Sequence, residues 1–108
     1  MRKTHPMHGR AVTAAALVLA AGCCAAFAAA ADDFKTAFAE AEAAERQAGA
    51  LKNQWTTTES ELKAAQRAAA AGNYHEAVKY AQFAEALAKA SIAQANEQAT
   101  AWKNAVIR

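Results

Sequence analysis

After residue 31, apolar positions recur every three or four residues and never alternate in the two-residue rhythm of a strand. Phe34, Ala37, Ala41, Ala44, Ala48, Leu51, Trp55, Thr58, Leu62, Ala65 and Ala69 advance in steps of three and four. That 3.5-residue spacing winds helices into a left-handed coil. A second stripe follows Gly72-Asn73, formed by Ala77, Ala81, Ala84, Ala88, Ala95, Ala99, Trp102 and Val106. The pattern predicts one helix over about 33–71 and another over about 74–106, each roughly 50–60 Å long at 1.5 Å per residue. Gly72, Asn73 and Tyr74 mark the turn between them. Glycine and asparagine tolerate the left-handed backbone of a helix end, and Asn73 with Glu76 fits a reciprocal N-terminal cap.

The fold class expected is therefore all-α: an antiparallel, coiled-coil-like two-helix hairpin. Pairing residues equidistant from Gly72 sets Leu62 beside Ala81 and Ala84, Trp55 near Ala88 to Ile92, and Trp102 near Ala41 and Ala44. Large side chains then face small ones, as interdigitating layers require. Two features strain a continuous first helix. Gly49 costs about 1 kcal/mol in a helix interior. Thr56 with Glu59, and Thr58 with Glu61, match capping boxes that start helices. We take the first helix as continuous, with a break near Trp55 and a short third helix as the alternative.

The first 31 residues read differently. Arg2, Lys3 and Arg10 are basic, and the stretch from Ala11 to Ala31 is uncharged and centred on Leu17-Val18-Leu19. Ala26-Phe27-Ala28 supplies the small-x-small pattern of a signal-peptidase site. The expectation is a cleaved export signal over 1–31 and a helical hairpin domain over 32–108, hence a periplasmic protein. One alternative is a retained transmembrane anchor, since the uncharged stretch is about long enough to span a bilayer. Another is a lipid anchor, since Leu19-Ala20-Ala21-Gly22-Cys23 resembles a bacterial lipoprotein box, which would lipidate Cys23 and hold the protein in the envelope. Cleavage near residue 31 would remove both cysteines and leave no disulfide, thiolate nucleophile or thiolate metal ligand.

Charge and composition narrow the chemistry. Twelve basic and ten acidic residues give +2 overall, but after residue 31 ten acids face nine bases. A nucleic-acid partner would need a concentrated basic surface, which this segment lacks. Two rods offer no pocket for convergent catalytic groups. His75 is the only histidine after residue 31 and stands at the turn, as a solvated helix-start residue would. Glycine-rich phosphate loops and Cys-x-x-Cys-His haem attachment are missing from the sequence. Glu40, Glu42, Glu45, Glu59 and Glu61 interleave with Arg46, Lys52, Lys63 and Arg67, reading as a solvated, ion-paired face. The expectation is a non-enzyme with no cofactor and no metal.

One feature is left over. At 100° per residue, Tyr80, Phe83 and Leu87 cluster roughly 90° from the alanine stripe of the second helix. A two-helix hairpin buries one stripe per helix, so this strip needs another surface. It either widens the seam against the segment from Trp55 to Leu62 or binds a partner, as exposed aromatics on a rigid helix commonly do. Candidate partner-binding residues are Trp55, Tyr80, Phe83, Leu87 and Trp102.

The run from Leu62 through Gly72-Asn73-Tyr74-His75-Glu76-Ala77 to Leu87 resembles a single tetratricopeptide hairpin, without the further repeats a stack needs. Over about 53–98, Trp55 with the threonines after it, Leu62 with spaced alanines, the Gly72-Asn73-Tyr74 turn, then Ala77, Ala81, Ala84 and the glutamines Gln94 and Gln98 resemble the SoxXA-binding protein family. The resemblance implies a small secreted helical accessory subunit that associates with the SoxXA c-type cytochrome in thiosulfate oxidation and contributes no catalytic residue. Two further readings stand beside it: an envelope coiled-coil protein or lipoprotein that self-associates, and a chaperone-like hairpin with many clients.

Overall fold

The computed structural model describes the backbone of residues 8–106 and the side chains of residues 23–106. It contains three helices: α1 (His8–Ala50), α2 (Thr56–Ala70) and α3 (Tyr74–Ala105). No strand occurs among the described residues, so the all-α expectation holds. The chain divides into two compact units, Met1–Ala30 and Ala31–Arg108. Residues 1–7 of the expected signal segment lie outside the described residues, as do the side chains of residues 8–22. Among the described residues, no helix is long and apolar enough to cross a membrane.

Within the second unit, the continuous first helix does not hold. α1 ends at Ala50 and α2 begins at Thr56. The break is built by a Schellman cap, in which the residue after the helix turns left-handed and two backbone amides reach back to orphaned carbonyls. Lys52 takes that position with φ +56°. Its N–H donates to Gly49 O at 2.9 Å, and the N–H of Asn53 donates to Ala48 O at 3.0 Å. The same motif closes α2. Gly72 has φ +82°, its N–H donates to Ala69 O at 3.0 Å, and Asn73 N–H donates to Ala68 O at 2.8 Å. Gly49 lies one turn earlier, where a Cβ would come within 2.8 Å of the amide end of the exposed Gln54 side chain, a contact that side chain can relieve by swinging away.

Two reversals make an up-down-up arrangement, so α1 and α3 run parallel. At one end the Phe34 ring lies 6.1 Å from that of Tyr74. Toward the other, Asn53 Nδ2 donates to Ser91 O at 2.7 Å and to Gln94 Oε1 at 3.3 Å. A two-rod hairpin would instead have placed Phe34 beside the far end of α3.

The expected stripes match the buried face only in part: Leu51, Ala99, Trp102 and Val106 are exposed, and Ser91, outside the expected stripe, is buried. Ala37, Ala41, Ala44 and Ala48 of α1, Thr58 and Ala65 of α2, and Ala77, Ala81, Ala84, Ala88 and Ser91 of α3 are all buried. Ala37, Ala65 and Ala81 meet in one cluster, one from each helix, sealed by Phe34, Phe38 and Val78. The largest fully buried side chains are only Thr58 and Ser91. An interior of methyl groups draws helix axes to the short end of the 8–10 Å packing range. Each alanine contributes on the order of one buried CH2, about 0.8 kcal/mol, so this core stabilises by many small increments.

Candidate functional site

α3 is longer than the bundle that covers it. Its seam face is buried from Ala77 to Ser91, and beyond Ala95 every described residue through Val106 is exposed. Trp102, expected beside Ala41 and Ala44, is instead 59% exposed. The reason is directional: within the second unit α1 runs parallel to α3 and turns away at Asn53, level with Ser91, so neither that part of α1 nor α2 continues alongside Trp102.

The second strip sits on the covered half of α3. Phe83 is 54% exposed and Tyr80 38%, large values for aromatics on a helix packed along its neighbouring face. Leu87 is half-buried. Trp55 is also half-buried and occupies the N-cap of α2 with extended backbone, φ −98° and ψ 135°. The expected Thr56–Glu59 capping box is not formed: Thr56 is the first helical residue, and no side chain caps α2. The hydroxyl of Ser60 donates to Thr56 O instead.

At the turn, Asn73 is the N-cap of α3, but its side chain makes no capping hydrogen bond. Tyr74 is half-buried and its ring meets Phe34. His75 is exposed. Cys23 and Cys24, in the first unit, are exposed and unbridged.

The acidic face contains a feature that its run of charges concealed. Glu45 is only 8% exposed, and neither carboxylate oxygen has a hydrogen-bond partner. Thr58 is fully buried, and its hydroxyl likewise has none. Burial, and secondarily the charge of Glu59, push the Glu45 carboxyl above its ordinary range. A solvated, ion-paired role for Glu45 therefore fails, because its position between Ala41 and Ala48 turns it into the edge of the core. The salt bridges among the described residues are local pairs, Asp32–Lys35, Glu76–Lys79 and Glu85–Lys89, and none uses the nine residues expected to pair.

The described residues hold no group of three His, Cys, Asp or Glu side chains arranged for a metal ion. A shallow, open depression of about 530 Å³ runs along Asn96, Glu97, Thr100, Ala101 and Asn104, all on the projecting end of α3. The arrangement offers apolar and aromatic contact area on one rigid helix in two patches, the Tyr80–Phe83–Leu87 strip and the uncovered seam around Trp102. Compared with known proteins, the chain matches no family model, no curated protein and no solved structure.

Proposed function

We propose that this protein is an exported, non-catalytic accessory subunit that docks through Tyr80, Phe83 and Leu87 onto a periplasmic partner, the SoxXA c-type cytochrome. The observation that carries the docking is the exposure of Phe83 and Tyr80 on a helix whose adjacent face is already packed. Aromatic side chains on a rigid element bury large area with little loss of freedom, which suits them as interface anchors. The identity of the partner rests on the resemblance of Trp55, Leu62, Gly72-Asn73-Tyr74 and the following alanines to the SoxXA-binding family. Export rests on the basic start and uncharged stretch of residues 1–31. Trp55 and Trp102 would lie outside the primary contact.

Coexpression of the full-length chain with SoxXA, followed by affinity capture and haem absorbance of the eluate, tests the reading. The cytochrome is expected to co-purify. Phe83→Ser should weaken the complex by at least about tenfold, the usual scale of a lost aromatic anchor, with helicity unchanged. A folded chain that captures no cytochrome would sink the proposal.

A further inference from the structure

The projecting end of α3 carries its own inference, independent of the cytochrome reading. Ala95, Ala99, Trp102 and Val106 lie on the same face of the helix as Ala77, Ala81, Ala84, Ala88 and Ser91, within roughly 80° of arc at 100° per residue. The first group is therefore a continuation of the interface that α1 and α2 cover lower down. Covering stops at Ser91 because Asn53 reaches across to that carbonyl as the chain reverses. Above it, Trp102 is 59% and Val106 66% exposed.

We propose that a second copy of this chain completes that face, the two projecting segments lying side by side and antiparallel about a twofold axis near Ala99. The spacing carries the choice of occupant. In an antiparallel pair, residues whose numbers sum to about 197 stand opposite one another. Trp102 of each copy then meets Ala95 of the other, and Val106 meets the level of Ser91. Large packs on small twice, by symmetry, from one sequence. The same register delivers Val106 to the foot of the projection, where the α1–α2 junction leaves Leu51 42% exposed. Only Glu97 and Lys103 are charged between Ile92 and Val106, so no block of like charge opposes the pairing.

The projecting segment is about 20 Å long. One tryptophan, one valine, one leucine and the alanines between them from each copy fall short of the ~1,200–2,000 Å² that a stable specific interface buries and belong with the weak, transient contacts. The dimer is accordingly weak and concentration-dependent.

Sedimentation of the protein purified from its producing cells, with the N-terminus fixed by intact mass, is the test. Between about 1 μM and 1 mM it should pass from monomer to dimer and no further, with a midpoint in the micromolar range. Trp102→Glu, and separately Ala99→Glu on the twofold axis, should each raise the dissociation constant at least tenfold while far-UV circular dichroism stays helical. Phe83→Ser should leave it unchanged. A chain that stays monomeric throughout overturns the proposal. So does a dimer that survives both α3-end substitutions, or one that Phe83→Ser dissolves.

Discussion

Glu45 holds a carboxylate at the edge of a methyl-lined core with no donor to meet it. Leaving water without a compensating hydrogen bond disfavours the charged form, and Glu59 nearby disfavours it further. The folded chain therefore binds this proton more tightly than the unfolded chain does. Stability contributed by the protonated form is full below the ordinary carboxylate range and is lost as pH rises through the raised folded value. Denaturant unfolding followed across pH 4–8 should show wild-type stability declining with pH relative to Glu45→Gln, which has no proton to release. Equal slopes for the two proteins would show that Glu45 is solvated. Helical phase already set this residue four positions after Ala41 and three before Ala48, at the margin of the stripe. The charges interleaved around it, Glu40, Glu42 and Arg46, pointed to solvent instead, and that reading outweighed the spacing.

At the scale of elements, the two Schellman caps use one backbone geometry with different residues. Gly72 has no Cβ to resist a positive φ, whereas Lys52 does. The left-handed region costs a non-glycine residue about 1–2 kcal/mol, offset in part by the greater chain entropy of glycine. Lys52→Gly should thus stabilise the fold by about 0.5–1 kcal/mol, and Gly72→Ala should destabilise it by about 1–2 kcal/mol, both read from denaturant midpoints. This asymmetry also explains which reversal could be read beforehand. The Gly72-Asn73 turn announces itself by composition, and α3 begins at Tyr74 as expected. The reversal at Lys52 has no glycine at the position that needs one, and the 3.5-residue stripe runs through it unbroken from Ala48 to Thr58. Gly49 and the threonines hinted at a break near Trp55, but a continuous stripe of small residues suits one long helix and two short ones equally. Once that reversal is missed, α1 is sent past the wrong end of α3 and Trp102 acquires neighbours it does not have. The strip at Tyr80 and Phe83 survives the error, because helical phase within α3 places it regardless of what lies alongside.

For the molecule as a whole, the bundle and the projecting end of α3 are unequal partners. The bundle is sealed by contacts from Phe34 to Ser91, and the residues beyond Ala95 add none to it that would bury them. Removing residues 99–108 should therefore leave the thermal midpoint within about 3 °C of wild type, measured at or below about 1 μM, under the concentrations at which copies would pair. A larger fall would mean that the terminal turns brace the bundle. The interior has a further property that follows from alanine itself. A methyl group has no rotamers, so folding costs the alanine positions no side-chain freedom, and along them the packed state has no alternative arrangement to adopt. A partner pressing on an alanine-lined face meets little internal give, and rigid displacement of a whole rod becomes the easier response.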